Sequence, residues 1–341
     1  MRARGPITFR DWMAAALYDP AFGYYNRSDL QRWGREADYR TSAERSELFA
    51  ATFARYFARL YEELGRPAHW TIVEGGAGEG SFAQRVLGVL LECYPQVFDA
   101  TRYCLDEISE DSLARARERL SAFPGHVSYE WREPLEVEIY FSNELLDAFP
   151  VHRVVREGEL YVTLDEDDKF VWSVGPFSTH RLAERALSLE PGQTIEVNLE
   201  VEHWFAAIAD RMKRGYVITV DYGAEENELY DSLLRPNGTL RAFSRHAFID
   251  DVLSAPGEYD ITSSVNWTQV KQVGERLGFQ VVEFTSQDKF LLSAGLLDEL
   301  GHRLTLIDNE ADKARLTTDA KEMILPGGMA SSFQVLVQRR R

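Results

Sequence analysis

Residues Val73 to Ser81 read VEGGAGEGS, with Gly76, Gly78 and Gly80 at alternate positions and two carboxylates, Glu74 and Glu79, beside them. Glycines so spaced, after the apolar run WTIV, tolerate left-handed backbone angles and let a ligand lie close to the main chain. Dinucleotides, nucleotide phosphates and S-adenosylmethionine all use turns of this kind. The stretch lacks the Lys-Ser/Thr ending of a phosphate-binding loop, and Ser81 stands where the third glycine of a dinucleotide fingerprint would fall. Charge separates the remaining ligands. A carboxylate about 5 Å from a pyrophosphate charge opposes it by about 3 kcal/mol at an effective dielectric near 20. S-adenosylmethionine has no phosphate, and its ammonium and sulfonium groups are cations. The turn is therefore expected to take S-adenosylmethionine rather than a nicotinamide dinucleotide.

Two further groups stand at the ends of later apolar runs. LDEIS places Glu107 downstream of the turn, at the ribose position of a βαβ unit, where a carboxylate accepts from the hydroxyls. Asp106 is the alternative ligand, and an exposed loop acid is the bland reading of Glu107. SNELLDAFPVH brings Asn143, Glu144 and Asp147 to the end of another strand. Methyl transfer asks mainly for an acceptor held in line with the donor, and for a group that orients it or takes its proton. Asn143 and Glu144 suit those roles. In the competing reading Asn143 caps a helix, with Glu144 and Asp147 as its first-turn acids.

The elements around these residues alternate. WTIVE, TRYCLDEIS, HVSYEW and VEIYFSNE read as strands. SFAQRVLGVLLECY, ended by Pro95, and EDSLARARERLSAF, started by Ser109, read as helices. This rhythm predicts an α/β fold with a mostly parallel, Rossmann-like sheet. Two helices precede it: one over TFRDWMAAALY, opened by Thr8 with Asp11 and stopped by Pro20, the other from about Glu44 to Leu64. Between about 151 and 188 the period falls to two, in HRVVREGELYVTL and KFVWSVG, and an antiparallel insertion is expected. The parallel pattern resumes with a helix over EVEHWFAAIADRMKR and the strand YVITVDYG. TQVKQVGERLGF, QVVEFTSQ and SFQVLVQ then read as helix, strand and final strand. The expected organisation is a segment over 1–66 covering the cofactor and a catalytic domain over 67–341 that carries the insertion.

The 341 residues are 45% hydrophobic and 27% charged, with a net charge of −17. That charge argues against a nucleic-acid partner. No stretch has the length of a membrane span. Cys93 and Cys104 fit neither a disulfide framework nor a metal motif, and no His/Cys/carboxylate grouping has zinc spacing, so no metal is expected. The N-terminus has no signal-peptide core, and a reducing, cytoplasmic location follows as the expectation.

The motifs together resemble the MidA-like class I S-adenosylmethionine-dependent methyltransferases, relatives of the mitochondrial complex I assembly methyltransferase that acts on a protein arginine. The resemblance runs through GPIT, GYY, DYRTSAERS, VEGGAGEGS, LDEIS, NELLDAFPVH, VDYG, GTLRAF and DITSSVNW to the last strand. It implies the class I sheet with a C-terminal antiparallel strand, and a cofactor site at Glu74, Gly76, Gly78, Gly80 and Glu107. It also implies an N-terminal segment around Tyr25, Thr41 and Ser42 over the donor's methionine end. Read from the residues alone, Tyr24 and Tyr25 are equally packing aromatics, and Thr41 with Glu44 forms a capping box. By the same resemblance the acceptor is a protein arginine, and the partner a respiratory-complex subunit. The chain departs from the family at Ala43-Glu44, at Ser264, where a histidine usually precedes the valine, and at Ala330. These departures raise a second reading, an assembly factor that binds the donor without turnover. A nicotinamide oxidoreductase is the third, disfavoured by the acids of the turn.

Overall fold

A computed structural model describes residues 2, 5–27, 47–131, 136–244, 247–325 and 332–341. The chain divides into two compact units. One comprises Met1–Tyr39, Leu146–Phe205 and Gly223–Val273, the other Arg40–Leu145, Ala206–Tyr222 and Gly274–Arg341. Residues 5–27 thus fall in the first unit, and 47–66 in the second.

The second unit holds the expected sheet. Its strands run in the order Gln280–Ser286, Phe333–Arg340, Gly215–Ala224, Ile139–Asn143, Trp70–Gly75, Thr101–Asp106 and Val127–Ser128. The last five are parallel to one another. Phe333–Arg340 runs antiparallel to both strands beside it. Every residue of Trp70–Gly75 is buried, as a strand covered on both faces requires. Strand order reverses on the two sides of Trp70–Gly75, which is where an open α/β sheet opens a crevice beyond its carboxyl ends. The helix Glu47–Glu63 sets Phe49, Phe53 and Phe57 into the core. There Phe53 and Phe82 close on Phe141, with ring centroids 4.9 and 4.5 Å away.

Some expectations shift. Pro95 stops one helix but also opens the next, Pro95–Ala100, at the position where a missing N–H costs nothing. HVSYEW pairs only through Val127–Ser128, at the end of the sheet. The helices Gln287–Ala294, Leu296–Leu306 and Glu310–Ile324 lie where the sequence reading assigns no element, and the last buries Leu316, Ala320 and Met323.

In the first unit, Thr8 caps the helix Phe9–Tyr18 by accepting from the Asp11 amide at 3.1 Å. That helix buries Phe9, Trp12, Met13, Ala16 and Leu17. The insertion is antiparallel as predicted. The run HRVVREGELYVTL splits at Arg156–Glu157 into His152–Val155 and Gly158–Leu164, which pair with each other and with Thr194–Val197 and Phe170–Gly175. Ile7–Thr8 completes this five-stranded sheet, and a smaller sheet joins Arg241–Ser244 to Ala247–Phe248 and Asp260–Thr262. Among the described residues, no helix is long and apolar enough to cross a membrane.

Candidate functional site

The glycine turn leaves the carboxyl end of Trp70–Gly75 and enters the helix Ser81–Cys93. Gly76, Gly78 and Gly80 have φ of 66°, 52° and 72°, the left-handed region that side chains resist. Gly80 is the residue before the helix, and a β-carbon there would lie 3.0 Å from Leu120 and 3.2 Å from Ala116. The Gly76 amide donates to the Asp106 carbonyl at 2.8 Å, tying the turn to the neighbouring strand. Gly75 was overlooked in the sequence. Its missing side chain makes room for the Tyr140 hydroxyl, which would sit 2.3 Å from a β-carbon and which donates to Asp106 at 2.7 Å. The doubled glycine of EGG was the available signal.

Glu107 is held at the edge of this crevice. Its Oε2 accepts from the Gly78 amide and its Oε1 from the Ser109 amide, both at 2.8 Å. Burial pushes its carboxyl up, and the backbone donors pull it partly back. Each oxygen keeps a lone pair, so the group can still accept from a ribose. Asp106, the alternative, is instead engaged by Tyr140 beneath the strand end. Glu74 is 6% exposed and accepts from the Tyr103 hydroxyl at 2.8 Å. Burial raises its carboxyl to about 8, Tyr103 opposes the shift, and the charge of Glu107 adds to it.

Glu79 corrects the electrostatic expectation. It is bound by Arg115 at 2.7 Å and Arg119 at 3.1 Å, so its charge is met inside the protein rather than by a ligand. Glu107 and Glu74, by contrast, are not paired with an arginine among the described residues.

Asn143 ends the Ile139–Asn143 strand, and Glu144 follows at φ 54°. No helix starts here, so the helix-cap reading of Asn143 fails. The Glu144 amide donates to the Val220 carbonyl at 2.9 Å, and Asn143 Nδ2 donates to Glu144 Oε1 at 3.0 Å. Asn143 Oδ1 is buried and has no hydrogen-bond partner among the described residues. A left-handed non-glycine residue costs of order 1–3 kcal/mol and marks strain of the kind found at functional sites. The structure thus gathers Glu74, Gly76, Gly78, Gly80, Glu107, Asn143 and Glu144 in the second unit, at the carboxyl ends of adjacent strands and on the turns that follow them. Tyr25 belongs to the first unit. Its hydroxyl donates to Asp260 at 2.7 Å, and its ring stacks on Tyr18 at 5.5 Å. Burial first, then the Asp260 charge, lifts that hydroxyl well above the ordinary tyrosine range. Asp147 is buried in the first unit, its carbonyl accepting from the Ser263 amide at 2.9 Å. The Ser264 amide, at one family departure, donates to Thr239 Oγ1 at 3.1 Å. Thr41 and Ser42, with Ala43, Glu44 and Ala330, lie outside the described residues.

Comparison with known proteins gives a consistent picture. A family model described as "Putative S-adenosyl-L-methionine-dependent methyltransferase" matches residues 52–285. The chain is 28% identical, over 80% of its length and 68% of the relative's, to the mitochondrial protein arginine methyltransferase NDUFAF7 homolog of Drosophila melanogaster. It is 25% identical to NDUFAF7 of Danio rerio over 97% of this chain and 83% of that one. A crystal structure from Burkholderia thailandensis, bound to S-adenosyl-homocysteine, superposes with a TM-score of 0.88 at 29% identity, covering 99% of this chain and 89% of that one.

Proposed function

Because the chain belongs to this family of S-adenosyl-L-methionine-dependent methyltransferases, we propose that it methylates a side-chain nitrogen of a protein, and that this nitrogen is an arginine guanidinium. The observation that carries the reading is Glu144, a carboxylate fixed by Asn143 and by a strained backbone at the end of the strand beside the glycine turn. A guanidinium is planar, cationic and matched to carboxylates. The relatives named as protein arginine methyltransferases support the same acceptor.

The donor supplies an electrophilic methyl group on its sulfonium and departs as the thioether. The protein's own residues have three tasks. Glu107 holds the ribose from the edge of the crevice, and the glycine turn lets the ligand lie against the backbone. Glu144 pairs with the guanidinium, so that one nitrogen faces the methyl. As the N–CH₃ bond forms, that nitrogen sheds a proton, and Glu144 is the base that takes it. Asn143, whose carbonyl oxygen has no partner among the described residues, accepts from the same acceptor group. The roles that the resemblance implies for Tyr25, Thr41 and Ser42 carry no step of this proposal. We assign its partner to a respiratory-complex subunit on the same resemblance, and the protein to the cytoplasm on its cysteine usage and N-terminal sequence.

The test is transfer of labelled methyl to protein extracts, followed by hydrolysis and separation of methylated amino acids. Label in methylarginine is expected, and Glu144→Gln should lower the rate about 100-fold with S-adenosylhomocysteine affinity kept within threefold. Label confined to small molecules rejects the protein acceptor, and label on lysine rejects the guanidinium. Tight product binding without any transfer would favour the assembly-factor reading.

A further inference from the structure

The helix Glu110–Arg119 is tied to Glu107 at its start and to the donor turn in its last two turns, and its arginines have no part in the mechanism above. At its start, Ser109 caps the helix, accepting from the Ser112 amide at 3.4 Å, while the Ser109 amide donates to Glu107 at 2.8 Å. In its last two turns, Arg115 Nη1 and Arg119 Nη2 donate to opposite oxygens of Glu79, at 2.7 and 3.1 Å. Arg115 is steadied in turn by Asp111, one helical turn back, at 2.9 Å. Ala116, on the same helix, and Leu120 just beyond it fill the space against Gly80. Glu79 lies between the two glycines whose backbones matter most. The Gly78 amide orients Glu107, and Gly80 leads into the next helix.

We infer that Glu79, Arg115 and Arg119 form a positioning clamp that fixes the glycine turn against the helix Glu110–Arg119 and thereby sets Glu107 for the donor's ribose. One rigid element then holds both sides of the ribose acceptor: the helix start fixes one carboxylate oxygen, and the clamp, through the turn, fixes the other. A glycine-rich turn has more conformations to lose than any other backbone. Without the clamp the Gly78 amide would wander from Glu107, and the ligand would have to order the turn on binding, at a cost in affinity. None of the three clamp residues needs to touch the ligand. Glu79 is only 14% exposed, and both its oxygens are already occupied.

The inference rests on Glu107 as the ribose acceptor, so the experiment separates the two claims. S-adenosylhomocysteine binding is measured by calorimetry on the full chain, which needs no knowledge of the methyl acceptor. Glu107→Ala should weaken binding about thirtyfold; if it does not, the ribose assignment itself fails. Glu79→Ala should weaken it about tenfold, Glu79→Asp less, and Arg115→Met with Arg119→Met together about as much as Glu79→Ala. In transfer assays the donor KM should rise by the same factor while kcat holds. Arg117→Met, on the exposed side of the same helix, should change nothing beyond twofold. The clamp is overturned if Glu107→Ala binds weakly while Glu79→Ala binds like the parent. It is equally overturned if Arg117→Met loses as much as Glu79→Ala, because general helix stability would then be the cause.

Discussion

Two buried glutamates, one in each unit, sit in comparable burial and behave oppositely. Glu159, on the Gly158–Leu164 strand of the insertion, is fully buried, with both oxygens engaged: His152 Nδ1 at 2.7 Å on one and the Ser178 amide at 2.7 Å on the other. Burial pushes its carboxyl up, yet the bonds from His152 and Ser178 more than offset that and hold it below the usual range. Glu74, below the glycine turn, is 6% exposed and has one neutral donor, Tyr103. Its carboxyl rises to about 8. The two differ in the donors that meet them: a histidine ring and an amide on Glu159, a single neutral hydroxyl on Glu74. The same contrast separates Glu196 from Glu107. Glu196 accepts three bonds, from Arg153 and from the amide and hydroxyl of Thr239, while Glu107 accepts two, one amide on each oxygen.

The largest effect should come from emptying the scaffold site. Glu159→Ala leaves a buried histidine and an amide without their partner, and unfolding free energy should fall by about 3 kcal/mol. Urea titration reads this, and S-adenosylhomocysteine affinity at the remaining folded fraction should not change. An affinity loss matching the stability loss would break the division between the two kinds of glutamate. Next in size is Glu107→Ala, expected to cost about 2 kcal/mol of product affinity with little change in the denaturation midpoint. Equal losses in stability and binding would make Glu107 scaffold too.

The smallest effect sharpens the contrast through pH. Glu74 is raised above its unfolded value, so the native state holds its proton longer, and this contribution to stability is full below about 4.5 and lost as pH rises through about 8. Glu138, raised to about 7 chiefly by burial, adds a slope of the same sign. Glu159 is lowered, so its contribution is present above the ordinary glutamate range and lost as pH falls through its folded value. Glu74→Gln should therefore flatten part of the alkaline decline and leave the acid limb alone. It should also reduce the preference for the sulfonium donor over its neutral thioether product by about 1 kcal/mol at pH 8 and above. Denaturation midpoints across pH, with paired donor and product titrations, check both; an unchanged alkaline limb would show that Glu74 ionises freely.

Much of the site was legible because its signals are local. Alternating glycines demand left-handed backbone wherever they fall, and the acid after the next strand lies at a spacing fixed by one crossover. What failed were judgements about where side chains point. Glu79 looked like a ligand-facing charge and is bound by arginines 36 and 40 residues away. Asn143 admitted a helix cap as readily as a site residue, until the chain after it proved not to be helical. Gly75 gave no reason for its smallness until Tyr140 was seen beside it. The three C-terminal helices were missed although two of them bury residues at helical spacing, Phe290, Leu291 and Ala294 in one and Leu316, Ala320 and Met323 in another.

The sequence alone determined the alternation of strands and helices around the turn, its left-handed glycines and the class of ligand that its composition favours, since backbone preference and apolar period act over a few residues. Only the tertiary structure decided which carboxylates are saturated and which remain available. That depends on donors brought together from distant parts of the chain, and in a low-dielectric interior the donors each acid meets, set against its burial, decide the direction in which its carboxyl shifts.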